Sequence, residues 1–281
     1  MANTADLRDE KSALDLGNIR NSLVRMEDSI IFSLIERSQY KMNSAVYQPD
    51  CKQLDEFRLH QLKSAGSNGC LGDWMLYHTE CIHAEVGRFT HPTEYPFFGP
   101  LPNSTLKTSA ASCDILARVP AEAVMNSRLL DIYRNKMIPA LCEAGDDGNY
   151  GSTATQDVHC IQTMATRIYY GLFVAEAKFR QHTEKATAMI KARDVDGLMA
   201  FITNKEVEDR NVQRVILKAR MFAQNVTSSE DDLEPTYKID PEYIGTVYKD
   251  FLMPLTRVVE VAYLLARLDD PQKGAKCPRL D

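Results

Sequence analysis

The chain lacks most of the features that announce a function. It has no run approaching the roughly 20 apolar residues of a membrane span, no CxxC pair and no Gly/Ser linker that would divide it. Its first residues, MANTADLRDEKSALD, are polar and charged, with no secretory apolar core. Segments with strand-like alternation are missing, as is any repeat of roughly 20–50 residues, which argues against sheet and solenoid folds. GxxxxGK[ST], GxGxxG after a strand and HExxH are absent, so nucleotide-binding and zinc-peptidase chemistry have no basis here. The seven cysteines are odd in number and read as mostly reduced thiols of an intracellular protein, although Cys51 and Cys70 flank one loop-like stretch. His78, Cys81 and His83 do not follow a recognised zinc spacing, and His159-Cys160 has no nucleophile signature. No metal or cofactor is expected. With 39 acidic and 33 basic residues the net charge is −6, which gives no overall pull toward nucleic acid or anionic membrane.

What is present is helical. The 281 residues are 44% hydrophobic and 26% charged, ordinary for a globular chain with a sizeable core. Leu16, Ile19, Leu23, Met26, Ile30 and Leu34 recur at three- and four-residue steps and predict one long helix over about 14–40. Val24, Ile31 and Ile35 add a second stripe, interrupted by Arg20 and Glu27, two charges expected to be paired with each other or put to use. Prolines at 92, 96, 100, 102 and 120 predict a long extended connector. Helix resumes near Ala121 and runs toward Ala144. The loop Gly145–Thr153 follows, and Ser152 or Thr153 is expected to cap the next helix with Gln156. A helix is expected from Asp194 through Phe222, an acidic solvated loop over Ser228–Glu234, and a last helix from Pro241 to Leu268, bent at Pro254. The expected fold is all-α: a single-domain multi-helix bundle over 1–281, with flexible ends at 1–13 and 270–281.

Within RIYYGLFVAEAKF, Arg167 and Lys178 stand eleven residues apart in an apolar helix. That spacing puts them on one face, about 16 Å apart along the axis, with Gly171 and Val174 between them as a small-residue floor. Two long cations on such a face suit a small anion. Asn204 with Glu208, and Thr256 with Glu260 in LMPLTRVVEVAYLL, are further polar pairs at i,i+4. With Arg20, the set reads as an interior pocket that binds a dianion and offers carboxyl groups to the rest of it.

IRNSLVRMEDSIIFSLIERSQY, GDDGNYGSTATQD, RIYYGLFVAEAKF and MPLTRVVEVAYLLARL, in this order from about Leu14 to Leu268, resemble the eukaryotic chorismate mutases of plants and fungi. The resemblance implies an all-helical homodimer that rearranges chorismate to prephenate on the route to phenylalanine and tyrosine. It implies that Arg20 and Arg167 hold the substrate carboxylates, helped by Thr256 and Asn204. Glu208 would take the ring hydroxyl, and Lys178 and Glu260 would meet the ether oxygen. The implied reaction is pericyclic and needs a compactly held substrate with donors where the breaking C–O bond gathers charge. The planar fork of arginine suits a carboxylate, and lysine suits a point of developing charge.

The resemblance further implies a regulatory site at the dimer interface, with tyrosine and phenylalanine as inhibitors and tryptophan as activator. Gly87 and Arg88, with Asn149, Gly151, Ser152 and Thr155, match that region, in a plant-like form that has Gly-Arg where fungal members have Arg-Arg. The implied compartment is the plastid stroma or the cytosol. Two other readings are a helical sensor of aromatic amino acids without catalysis, and a different anion-binding helical enzyme such as a lyase.

Overall fold

Helix α2 (Leu16–Ser38) is the axis around which the chain is built, and Asp15 starts it by accepting the N–H of Asn18. The computed structural model describes residues 4–52, 54–106, 115–225 and 235–269. Before α2 lies a short helix, α1 (Glu10–Ala13), whose Ala13 is fully buried against Ile19, Tyr170 and Phe173. Part of the expected flexible N-terminal end is therefore ordered by packing; 270–281 and Ser228–Glu234 lie outside the described residues.

Two helices with little sequence signal come next, α3 (Glu56–Ser64) and α4 (Leu71–Glu85). The proline-rich connector follows, non-helical but for short 3-10 turns where described. The buried carboxylate of Glu80 on α4 anchors it by accepting the N–H groups of Phe97 at 2.9 Å and Phe98 at 3.2 Å.

Helix α5 (Asn126–Ile132) passes through a π-turn (Tyr133–Met137) into α6 (Ile138–Leu141). The last helical run has the same construction: α12 (Pro241–Thr246), a π-turn (Val247–Leu252), then α13 (Met253–Ala266). In both, the π-turn stops two residues short of a proline, Pro139 and Pro254. Proline has no N–H for the i−4 carbonyl, and the wider turn absorbs the interruption.

The middle of the chain supplies α7 (Tyr150–Tyr169), α8 (Gly171–Gln181), α9 (Thr183–Lys191), α10 (Val195–Ile202) and α11 (Lys205–Ala223). Three expectations need correction here. The capping box does not form: α7 begins at Tyr150, and Thr153 is buried, accepting the side-chain amide of Asn43 at 2.8 Å. The Arg167–Lys178 segment is two helices meeting at Tyr170, and the Asp194 helix is cut at Thr203–Asn204, where Asn204 caps α11. Among the described residues the only β-feature is an isolated bridge between Gln224 and Tyr237.

One main core joins these helices: Ile30 and Leu34 of α2, Met164 and Ile168 of α7, Leu172 of α8, Val215 and Ala219 of α11, and Val259 and Leu264 of α13. Each fully buried aliphatic side chain contributes roughly 1.5–3 kcal/mol before entropy is counted. Helices α2 and α7 are also locked by a buried pair, Arg37 Nε to Asp157 Oδ1 at 2.6 Å. The hydroxyls of Tyr133 and Tyr47 donate to the same carboxylate, so its lone pairs are well used.

Candidate active site

The C-terminal end of α7, together with α8, α11 and α13, brings together most of the residues picked from sequence. Arg167 is 8% exposed, and its Nη1 donates to Thr256 Oγ1 at 3.2 Å. Thr256 donates its own proton to the carbonyl of Leu252 at 2.8 Å, which turns a lone pair toward the arginine. Arg167 Nε is buried with no acceptor among the described residues. A guanidinium has five donors, so this one retains capacity for an incoming acceptor.

Lys178 is half-buried and donates to the carbonyl of Ile202, the last residue of α10. Glu260 is 5% exposed. Burial raises its pKa to about 8, against the pull of Lys178, Arg167 and Arg257 and with the push of Glu208. Near neutral pH this carboxyl is therefore largely protonated, a donor as well as an acceptor.

Glu208 lies in the first turn of α11, where helix N–H dipoles favour its charge, and it is bonded to Arg257 Nη1 through both oxygens, at 2.8 and 3.1 Å. Arg257 escaped the sequence reading. Its signal was weak but present: a lone cation in the apolar stretch MPLTRVVEVAYLL, three residues before Glu260. The backbone acceptor at Ile202 has no sequence signal.

The two i,i+4 pairs differ. Thr256 and Glu260 share a face of α13 as expected, and both pack against Gly171, so side chains of α13 cover the small-residue floor. Asn204 and Glu208 are instead a cap and a first-turn residue. The amide oxygen of Asn204 accepts the N–H of Val207 at 3.1 Å, which leaves its NH₂ end for other partners.

Arg20 stands apart. It is exposed near the start of α2 and has no bond to the other six. The expected pairing with Glu27 is also absent. Glu27 is buried and held by Arg214 at 2.6 Å and Lys218 at 3.1 Å, both on α11. Arg20 lies on the same side of α2 seven residues earlier, about 10 Å along the axis, and is exposed, whereas Glu27 is taken by the two cations of α11.

The charge balance follows. Arg257 compensates Glu208, and Glu260 carries a proton at neutral pH, so among the described residues Arg167 and Lys178 stand as two cations without a matching ionised carboxylate. Such a site attracts a small dianion and offers donors to an oxygen that gains charge. A cavity of about 620 Å³ lined by Met42, Tyr47, Asp73, Phe98 and Arg134 contains none of the seven residues.

The second set of residues falls into two places. Gly87 closes α4 at a φ of +79°, the left-handed region where glycine is at ease. Arg88 is bonded to Glu94 (3.0 Å), His83 Nδ1 (2.9 Å) and Gln162 (2.7 Å). Asn149, Gly151, Ser152 and Thr155 lie at the start of α7, where Thr155 donates to the carbonyl of Gly151 and Ser152 is exposed. Gln162 is eleven residues beyond Gly151 on that helix, about 16 Å along its axis. One chain therefore does not bring Arg88 and the start of α7 together.

No protein-family model matches the chain. Its relatives are more informative. Chorismate mutase 1, chloroplastic, of Petunia hybrida is 40% identical over 263 residues, 93% of this chain and 78% of the relative. The crystal structure of Aro7p chorismate mutase from Candida albicans in complex with L-Trp has a TM-score of 0.85 at 35% identity and covers 96% of this chain and 97% of its own. The crystal structure of AtCM1 with phenylalanine bound in the allosteric site has a TM-score of 0.75 at 41% identity over 93% of this chain and 99% of its own. An all-helical fold, a site with two unmatched cations beside a protonated carboxyl, and likeness over nearly the whole length agree: the chain belongs to the chorismate mutase family of plants and fungi.

Proposed function

We propose that this chain rearranges chorismate to prephenate at the site formed by Arg167, Lys178, Asn204, Glu208, Thr256 and Glu260, with Arg20 joining from α2. The observation that carries the reading is the pair of cations, Arg167 and Lys178, flanking a carboxyl that is protonated near neutral pH. Chorismate is a dianion at that pH. Arg167, with its buried unspent Nε, takes one carboxylate as Thr256 orients it, and Arg20 and Asn204 reach the other. Lys178 and protonated Glu260 donate to the ether oxygen as its C–O bond breaks, and Glu208 accepts the ring hydroxyl. The rate gain comes from holding a flexible molecule compact and from donors already aimed where charge develops.

The chain acts as a homodimer in this reading, and aromatic amino acids bind between the copies. A small amino acid cannot span the roughly 16 Å between Arg88 and the start of α7 in one chain. With Arg88 from one copy and Gly151, Ser152 and Thr155 from the other, the effector carboxylate meets the free N–H groups of a 20-residue helix. The solved relatives with tryptophan or phenylalanine bound support such a site. The chloroplastic petunia relative fits one of the two expected compartments.

The test is to mix the protein with chorismate, follow the loss of its enediol-ether absorbance, identify the product and repeat with each aromatic amino acid. Prephenate as product, with rates altered by the effectors, is the expected result. Effector binding without turnover would mean a sensor, and a different product would mean another enzyme class. Calorimetry without binding of tyrosine, phenylalanine or tryptophan would end the regulatory claim alone.

A further inference from the structure

Arg257 is a charged group beside the reacting residues that the proposed chemistry leaves unused. It follows Thr256 directly and precedes Glu260 by three positions on α13. Its Nη1 is shared between the two oxygens of Glu208, 2.8 and 3.1 Å away, across 49 residues of sequence. Both side chains are about one quarter exposed, so the pair is partly shielded from solvent. One nitrogen on both oxygens fixes the tilt of the carboxylate and cancels most of its charge.

We propose that Arg257 is a positioning residue for the rearrangement: it holds Glu208 as an oriented, charge-compensated acceptor beside a dianionic substrate. The inference rests on the chorismate reading above. Without Arg257, the Glu208 anion would face a molecule carrying two negative charges. Repulsion and a wandering acceptor would then weaken substrate binding more than the chemical step.

The same pair acts on Glu260. The charged groups that bear on that carboxyl are Arg167 from α7, Lys178 from α8, Glu208 from α11 and Arg257 from α13. Loss of Arg257 removes a cation that favours the ionised form and exposes Glu260 to an uncompensated anion. Glu260 then keeps its proton to higher pH, a shift that a merely structural role for Arg257 would not produce.

The experiment compares wild type, Arg257→Gln, Arg257→Lys, Glu208→Gln and the double Arg257→Gln/Glu208→Gln in kcat and KM from pH 6 to 10, a range of about two units either side of the Glu260 pKa of about 8. Arg257→Gln should raise KM about tenfold, the size expected for loss of one charge-assisted hydrogen bond, lower kcat less, and move the alkaline fall of kcat/KM upward. Arg257→Lys should restore KM to within about threefold and leave the alkaline fall in place, because a single nitrogen makes both bonds. Once Glu208 is glutamine, removing Arg257 should change KM by less than about twofold, since the group it acts through is gone. If Arg257→Gln does not fold, Arg257→Met keeps the aliphatic stem and takes its place. A folded variant with wild-type KM and an unmoved alkaline fall overturns the inference, as does lysine that fails to rescue. Wild-type protein without chorismate turnover would instead overturn the reading on which it rests.

Discussion

A β-carbon added to Gly171 would stand 2.7 Å from Cγ2 of Thr256, well inside contact distance. It would also come within 3.1 Å of the Cγ and Oε1 of Glu260. Helix α8 thus meets α13 at a residue without a side chain, and this close approach seats Thr256 against Arg167 and Glu260 beside Lys178. The junction at Tyr170 lets the chain pass from α7 into α8 while Arg167 and Lys178 serve one site.

Gly171→Ala should push α13 away from α8. Overpacking costs typically 1–3 kcal/mol, roughly 1 kcal/mol of which alanine's better helix propensity returns. Turnover should fall further than stability, because the 3.2 Å bond from Arg167 to Thr256 opens. Denaturant unfolding and kcat on the same preparation check this, and wild-type values for both would show that the contact relaxes freely.

Lys178→Met should lower the rate by roughly 10²–10³, about 3–4 kcal/mol, through loss of a donor at developing charge. The bond from Lys178 to the Ile202 carbonyl gives the lysine a structural part as well, which the sequence did not reveal. A smaller stability loss of about 1 kcal/mol is expected to accompany the rate loss. Circular dichroism and single-turnover kinetics separate the two, and a folded variant with wild-type rate would remove the lysine from the chemistry.

Glu260 makes activity and stability depend on pH in the same direction. Its folded pKa of about 8 lies above the ordinary 4.5, so its protonated form contributes stability that is complete below 4.5 and is lost as pH rises toward 8. Turnover should decline above about pH 8 as the donor ionises and repels the ether oxygen. Glu260→Gln keeps a donor that does not titrate, so both profiles should flatten. Glu260→Asp, shorter and still ionisable, should lose rate and keep the slope. Glutamine and glutamate profiles that fall together would assign the ionising donor elsewhere.

Asp157→Asn should strand the fully buried guanidinium of Arg37, for which that carboxylate is the ion-pair partner. Breaking one side of a buried pair costs roughly 3–5 kcal/mol. Because neither residue touches the site, kcat of the folded fraction at low temperature should stay within about twofold. Thermal unfolding and kcat on one sample decide between this and an indirect catalytic role.

The helical class was legible in the sequence, and so were the polar residues of apolar helices that the fold gathers near Arg167, because helix periodicity is local. Apolar residues at three- and four-residue steps place α2 on the core, and a polar or charged residue in such a stripe, as at Arg167, Thr256 or Glu260, must have a partner or a use. What was not legible is long-range or involves the backbone. Glu27 turned to Arg214 and Lys218 on α11, Glu208 turned to Arg257, and Lys178 found the carbonyl of Ile202, choices set by which helix packs where. Asn204 looked like half of an i,i+4 pair but ends one helix and caps the next, since an amide can cap α11 as readily as it can sit on a helix face. The residue types and their order along the chain were thus set locally. Which charges cancel, which stay available and where Glu260 titrates were decided by packing, because burial and distance are properties of the folded chain alone.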